Sequence, residues 1–204
     1  MRLGILASHE GTTLQAVLDA VADGRLPARV AVVVSNNRES GALHRARAAG
    51  VPAVHLSSVT HPDPDELDRA IVTTLTNARA DAVLLAGYMK KLGPGVLREY
   101  DGRIVNTHPA LLPKFGGKGM YGDRVHEAVL AAREPETGVS IHLVDAEYDT
   151  GPVLAQCRVP VLPGDSVATL AARVQARERE FLVEVLAEIA AGELKAMRTP
   201  RGEP

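Results

Sequence analysis

The 204-residue sequence has a single cysteine, Cys157, no tryptophan, and only 3% aromatic residues. One cysteine excludes an internal disulfide framework and a zinc site built from several thiolates. Because Cys157 lies inside the mostly apolar stretch 152–160, we expect a small packed thiol rather than a nucleophile. Near-average apolar and charged contents predict a globular chain that is large enough for one domain with a sizeable core.

The sequence also lacks an excess of charge of either sign and any long apolar run. Its 23 basic and 25 acidic residues give a net charge of -2, which provides no electrostatic footprint for nucleic acid. No run approaches the roughly 20 apolar residues that span a bilayer, and the apolar run within residues 1–8 is too short for a signal-peptide core. We therefore expect a cytoplasmic protein without nucleic-acid or membrane partners.

Short β-rich runs alternate with helical patterns along the first half of the chain. Leu14, Val17, Leu18 and Val21, for example, recur at helical spacings of three and four. Such alternation predicts parallel strands joined by right-handed helical crossovers. The predicted strands are residues 2–8, 28–35, 51–57, 80–86 and 103–107.

The pattern changes in the second half of the chain. Residues 138–145 and 153–161 predict two strands separated by a short turn, and residues 166–190 predict one long helix. The predicted fold is therefore α/β: a single Rossmann-like open sheet, mostly parallel, with helices on both faces and an antiparallel C-terminal strand pair. We expect one domain over residues 1–191 and a loosely held, charged tail over residues 192–204.

An amide and an imidazole stand two residues apart at the end of the predicted strand 103–107. Side chains alternate along a strand, so Asn106 and His108 should project to the same face, and Pro109 should end the strand there. Acyl-transfer chemistry needs such a pair, a donor for an oxyanion and a group that moves protons near neutral pH. The alternative is an asparagine that caps a turn beside a surface histidine.

The first predicted strand leads through a short loop directly into a helix. Gly11 would let a ligand approach the backbone, and Thr12 and Thr13 would add hydroxyl donors at the helix N-terminus, which favours phosphate. The loop lacks the three spaced glycines of dinucleotide sites and the lysine of a P-loop, which disfavours nicotinamide and ATP. The alternative is an ordinary helix capped by a hydroxyl.

Three acids in one stretch could accompany the Asn106 and His108 pair. Asp149 precedes a Gly-Pro turn, which suits a carboxylate held over a sheet edge. Asp145 and Glu147 compete with it, and sequence spacing does not choose among the three.

Together these segments resemble the folate-dependent formyltransferases over residues 1–191. The segments that carry the resemblance are Asn106-Thr107-His108-Pro109-Ala110-Leu111-Leu112-Pro113, Asp149-Thr150-Gly151-Pro152 and Gly164-Asp165-Ser166. The resemblance implies transfer of a formyl group from 10-formyltetrahydrofolate, a co-substrate, to the amine of glycinamide ribonucleotide in purine biosynthesis. Formylglycinamide ribonucleotide and tetrahydrofolate would be the products, no metal would be required, and the enzyme would be a monomer or homodimer.

The resemblance also implies a role for individual residues. Asn106, His108 and Asp149 would form the catalytic set, with His108 near its ordinary titration range and able to act as an imidazolium beside Asp149. The implied ribonucleotide-binding residues are Gly11, Thr12, Thr13, Gln175 and Glu178, and the implied folate-binding residues are Met89, Lys90, Lys91, Leu92 and Asn106.

The sequence departs from the family pattern in the first loop and in the loop after Pro113. His9 replaces a glycine and Thr13 an asparagine, while Lys90, Lys91 and Pro64 differ on the folate side. The glycine-rich loop 114–123 suggests mobility over the substrate. A formyltetrahydrofolate hydrolase or another formyltransferase on the same core is a second hypothesis, and a non-catalytic nucleotide-binding regulator is a third.

Overall fold

The computed structural model describes residues 1–192, which form one seven-stranded sheet surrounded by helices. The strands are β1 (Arg2–Ala7), β2 (Arg29–Ser35), β3 (Ala53–His55), β4 (Ala82–Leu85), β5 (Ile104–His108), β6 (Glu136–Leu143) and β7 (Val153–Pro160). The helices are α1 (Thr12–Ala22), α2 (Gly41–Ala48), α3 (Pro64–Asn77), α4 (Pro94–Glu99), α5 (Asp123–Ala131) and α6 (Val167–Ala191).

The strands lie in the order β3-β2-β1-β4-β5-β6-β7. Neighbours from β3 to β5 pair in parallel, whereas β6 is antiparallel to both β5 and β7. The predicted fold class is confirmed, with the addition that the antiparallel part begins at β5. The prediction for strand 51–57 was too long, because β3 is an edge strand of three residues that pairs with β2 alone.

Both faces of the sheet are covered, which explains why the central strands read as continuous apolar runs. Side chains of α1, α2, α5 and α6 share one hydrophobic cluster with one face, and those of α3 and α4 share a second cluster with the other. Along β5, Val105 belongs to the first cluster and Ile104 to the second. Neighbouring residues of this strand therefore face different helical layers.

The long helix α6 begins and ends at sequence signals that are visible in the chain. The Ser166 side chain accepts a hydrogen bond from the Thr169 amide, and the Thr169 side chain accepts one from the Ser166 amide. Gly192 takes the left-handed conformation that ends the helix. The predicted helix 166–190 is confirmed to within one residue at each end. The predicted tail lies, from residue 193 onward, outside the described residues.

The position of the functional site follows from the strand order. From the adjacent β1 and β4, the chain continues outward in opposite directions, to β2 on one side and β5 on the other. Open α/β sheets bind ligands in the crevice that opens at the carboxyl ends of such strands. The carboxyl end of β5 carries Asn106 and His108. Within residues 1–192, no helix has both the length and the apolar character needed to cross a membrane.

Candidate active site

Asn106 and His108 lie on the same face at the end of β5, opposite two polar residues of β6. The strand register pairs Asn106 with His142 and His108 with Ser140. The Asn106 Nδ2 atom donates to Nε2 of His142 over 3.2 Å. His108 is only 4% exposed, so the alternative of a turn-capping asparagine beside a surface histidine is wrong.

Of the three competing acids, Asp149 is the one that the fold brings to this pair. One carboxylate oxygen lies 3.5 Å from His108 Nδ1, and the other lies 3.5 Å from His142 Nε2. Asp145 instead accepts hydrogen bonds from the Thr150 hydroxyl and the Glu147 amide. Asp149 has a φ of 58°, in a left-handed conformation that aspartate and asparagine tolerate better than most residues.

The loop after Pro113 supplies two backbone groups that bond to His108 and Asp149. The Phe115 carbonyl accepts a hydrogen bond from His108 Nε2 at 2.7 Å, and the Gly117 amide donates to Asp149 at 2.9 Å. Because a carbonyl can only accept, the His108 proton resides on Nε2 and the unprotonated nitrogen of the neutral ring is Nδ1. That basic nitrogen faces Asp149.

Burial sets the charge state of the resting site. Desolvation lowers the pKa of His108 below its ordinary value of 6.5, although Asp149 and the Phe115 carbonyl act in the opposite direction. This corrects the expectation that His108 titrates in its ordinary range, because burial favours the neutral ring. Burial acts to raise the pKa of Asp149, but His142, Gly117 and His108 together hold it below its usual value.

Sequence reasoning did not identify His142 or the polar residues behind the turn. The Ser140 hydroxyl donates to the Ala110 carbonyl at 2.6 Å and accepts from the Leu112 amide at 2.9 Å, and Gln156 donates to the Leu112 carbonyl. These bonds fix the chain that follows β5. The signal for His142 was its alternation with Ser140 on a predicted strand, but only the register with β5 shows which residue faces Asn106.

A narrow cleft of about 80 Å³ extends from Asn106 toward the segment after β4. Lys90, Lys91 and Leu92 line it together with His142 and Asp149. Across its mouth, the Lys91 Nζ atom lies 3.6 Å from Glu147 and 5.8 Å from the centre of the Tyr148 ring. Three of the four residues predicted only for folate therefore border the cleft.

Met89, the fourth of these residues, is placed differently. Its side chain is 42% exposed, and its backbone amide donates to the Ser8 hydroxyl at 2.8 Å. Met89 therefore lies next to the residues that border the cleft, and its role in folate binding stays a prediction.

The loop before α1 leaves the helix N-terminus without a side-chain cap. Gly11 is the N-cap residue with a φ of 71°, and a Cβ at this position would lie 2.7 Å from the Ala42 Cα. Thr12 and Thr13 are inside the helix, so the alternative of a hydroxyl-capped helix is wrong. Arg45 of α2 braces the loop by donating to the Glu10 carbonyl at 2.8 Å. The first-turn amides remain oriented for an anion.

Glu178 reaches the catalytic strand from the other face of the sheet. Its carboxylate accepts a hydrogen bond from the hydroxyl of Thr107, the residue between Asn106 and His108. Burial raises the pKa of Glu178, while the Thr107 bond acts against that shift. Gln175 lies one turn earlier on α6 and is exposed, so the structure brings Glu178, but not Gln175, to the strand.

Two other grooves are not bordered by Asn106, His108, His142 or Asp149. One, of about 450 Å³, lies where α1, α2 and α6 meet and is bordered by Thr12, Arg45 and Arg179. The other is an open groove of about 1070 Å³ between α3 and α4. Across residues 1–192, no group of three or more histidine, cysteine, aspartate and glutamate side chains could hold a metal ion.

Comparison with known proteins gives one consistent family. Residues 1–186 match the family described as formyl transferase. Phosphoribosylglycinamide formyltransferase of Mycobacterium tuberculosis is 44% identical over 189 residues, covering 93% of this chain and 85% of the relative. Glycinamide ribonucleotide transformylase 1 of Symbiobacterium toebii has a similar crystal structure, with a TM-score of 0.87 and 38% identity over 94% of this chain and 88% of that one.

A plant relative is longer. Chloroplastic phosphoribosylglycinamide formyltransferase of Vigna unguiculata is 41% identical over 186 residues, which are 91% of this chain but only 59% of the relative. The chain thus spans little more than half the length of this relative.

The charge balance between Asp149 and His108 can be measured directly. In the unmodified protein, we expect nuclear magnetic resonance titration of the His108 ring to give a pKa below 6.5. Asp149→Asn should lower that pKa further, because a group that favours the charged ring is lost, while asparagine still tolerates the left-handed backbone.

Asp145→Asn is the matched control and should leave the His108 titration in place. A His108 pKa that rises in Asp149→Asn, or that responds more strongly to Asp145→Asn, would contradict the assignment of the carboxylate.

Proposed function

The chain belongs to the formyl transferase family, and on that premise we propose that its catalytic groups are Asn106, His108 and Asp149. The enzyme transfers the formyl group of 10-formyltetrahydrofolate to the amine of glycinamide ribonucleotide, giving formylglycinamide ribonucleotide and tetrahydrofolate in purine biosynthesis. One observation carries the assignment of the groups: a neutral amide donor, a buried imidazole and a carboxylate converge at the end of β5.

Asn106 stabilises the intermediate. Attack of the substrate amine on the formyl carbon makes a tetrahedral species whose oxygen bears negative charge. One N–H of the Asn106 amide donates to His142, which fixes the plane of the amide, and the other N–H is left to donate to this oxygen. A donor that is held in place before the charge develops stabilises the transition state most effectively.

His108 moves the proton that the reaction must relocate. The new carbon–nitrogen bond releases a proton from the attacking amine, and cleavage of the bond to the folate nitrogen requires one. The neutral ring accepts the first proton at Nδ1, the nitrogen that faces Asp149, and returns it to the leaving nitrogen. The carboxylate stabilises the imidazolium between these two steps.

The two substrates approach from different sides of β5. We assign the folate to the cleft bordered by Lys90, Lys91, Leu92 and Asn106. The phosphate of the ribonucleotide is assigned to the amides at Gly11, Thr12 and Thr13, which the αL N-cap leaves open. Its ribose is assigned to α6, where Glu178 bonds to Thr107 of β5 and Gln175 lies exposed one turn earlier.

Further assignments belong to the same proposal. Residues 1–191 form the formyltransferase domain, the reaction takes place in the cytoplasm without a metal ion, and the enzyme acts as a monomer or homodimer.

Product analysis tests the activity. We expect the protein to release tetrahydrofolate from 10-formyltetrahydrofolate only when glycinamide ribonucleotide is present, with an equal amount of formylated ribonucleotide. Tetrahydrofolate release without the ribonucleotide would indicate a hydrolase. Ribonucleotide binding without any folate product would indicate a regulator.

Asn106→Ala and His108→Ala test the chemical roles. We expect Asn106→Ala to lower kcat by roughly a hundredfold to a thousandfold, because an oxyanion donor is lost. His108→Ala should lower kcat by about two to four decades, since general acid–base catalysis contributes that much. Steady-state kinetics with both substrates saturating gives these values.

The exposed His44→Ala is the control and should be unaffected in kcat. Near-normal turnover by either active-site variant, with an unchanged thermal unfolding curve, would contradict the mechanism.

Gly11→Val and Glu178→Ala test the ribonucleotide site. At Gly11 the side chain would collide with the Ala42 backbone and displace the loop that holds the phosphate. In Glu178→Ala a charge-assisted hydrogen bond of about 1.5–3 kcal/mol is lost, which corresponds to roughly one to two decades in KM for the ribonucleotide. The KM for the folate should barely move.

Gly24→Val is the matched control for Gly11→Val. Gly24 also has a left-handed φ, of 78°, but no atom lies within 4 Å of its Cβ position, so only backbone strain is added. Equal losses for both substrates would indicate general damage, and an effect on folate alone would reverse the assignment of the two sides.

A further inference from the structure

Three loops of the sheet edge meet at the hydroxyl of Ser8, which directly follows β1. The hydroxyl donates to Oδ1 of Asn36, after β2, at 2.5 Å, and accepts from the Met89 amide, after β4, at 2.8 Å. The Ser8 amide also donates to the Gly87 carbonyl at 3.2 Å. Ser8 is only 2% exposed, so water does not replace these bonds easily.

These contacts join the two substrate sites assigned above. On one side, Ser8 begins the loop that leads through Gly11 to the N-terminus of α1, where the phosphate is assigned. On the other side, Met89 begins the segment whose next residues, Lys90 to Leu92, border the folate cleft. A change in the position of either loop therefore alters the hydrogen bonds of the Ser8 hydroxyl.

The chain that follows Met89 and borders the folate cleft continues to Gly95 and Val96, where a different side chain holds it. Asp68 of α3, 8% exposed, accepts hydrogen bonds from the Gly95 and Val96 amides at 2.5 and 3.1 Å. A Cβ at Gly93 would lie 2.3 Å from the Asp68 carboxyl carbon. Asp68 thus anchors the same segment as Ser8, but its bonds do not involve the loop before α1.

We propose that Ser8 is a positioning residue that couples ribonucleotide binding to folate binding. A phosphate bound at the N-terminus of α1 further restrains the loop that Ser8 begins, and the Ser8 hydroxyl extends that restraint to the Met89 amide and the residues that border the folate cleft. Such coupling is reciprocal, since each ligand must raise the affinity for the other by the same factor. This inference rests on the proposed function, because it uses the two substrate sites assigned there.

Calorimetric titration of tetrahydrofolate tests the coupling without turnover, because this product carries no formyl group. We expect saturating glycinamide ribonucleotide to tighten tetrahydrofolate binding at least fivefold in the unmodified protein. We call the dissociation constant of tetrahydrofolate without the ribonucleotide, divided by that with it, the coupling ratio. In Ser8→Ala the coupling ratio should fall to nearly one. Asp68→Asn should weaken tetrahydrofolate binding by up to about tenfold and yet retain the ratio of the unmodified protein.

Hydrogen exchange tests the same coupling at the backbone amide of Met89. Glycinamide ribonucleotide alone should slow exchange of the Met89 amide in the unmodified protein and in Asp68→Asn, but not in Ser8→Ala. A role of Ser8 in stability alone would change the unfolding temperature without removing this ligand-dependent protection.

Asn36→Ala keeps the test decisive if Ser8→Ala does not fold. It removes the partner that orients the Ser8 hydroxyl and should at least halve the coupling ratio. An unchanged ratio in Ser8→Ala, or in Asn36→Ala if Ser8→Ala is unfolded, overturns the inference, as does the absence of coupling in an unmodified protein that binds both ligands. Failure to bind either ligand would instead overturn the proposed function.

Discussion

The site depends on keeping one partly buried carboxylate charged. The Gly117 amide donates to Asp149, and the rings of His108 and His142 each lie 3.5 Å from one of its oxygens. Those partners come from β5, β6 and the loop between β5 and α5. The surroundings of one charge therefore bring together β5, its antiparallel neighbour and the start of the glycine-rich loop. In the proposed mechanism, the same charge stabilises the transient imidazolium of His108.

The alternation of side chains along β5 separates the Asn106 and His108 pair from the contact with α6. Asn106 and His108 lie on one face of β5, where Asn106 borders the cleft, while Thr107 between them faces α6 and bonds to Glu178. One strand end therefore presents side chains to both faces of the sheet, as the proposed placement of the two substrates requires. Pairing of β5 with β4 on one side and β6 on the other holds its backbone in place.

Close backbone packing explains why the loop before α1 keeps its shape despite an unusual sequence. Gly11 is packed against Ala42, and Gly41 is packed against the backbone of Glu10. Arg45 adds a hydrogen bond to the Glu10 carbonyl. These contacts involve the backbone of the loop and not the side chain of His9, which replaces a glycine of the family pattern. The side chains of His9 and Glu10 remain exposed.

The sequence by itself determined the strand and helix pattern, the fold class and the catalytic pair on β5. Apolar runs, capping residues and side-chain alternation are local signals, and Asn106 and His108 are neighbours on one strand. Spacing did not choose among Asp145, Glu147 and Asp149; the family resemblance implied Asp149, and the fold brings it to the pair. Tertiary structure alone placed His142 opposite Asn106 and lowered the pKa of His108. Those properties depend on strand register and burial, which arise only when distant segments pack together.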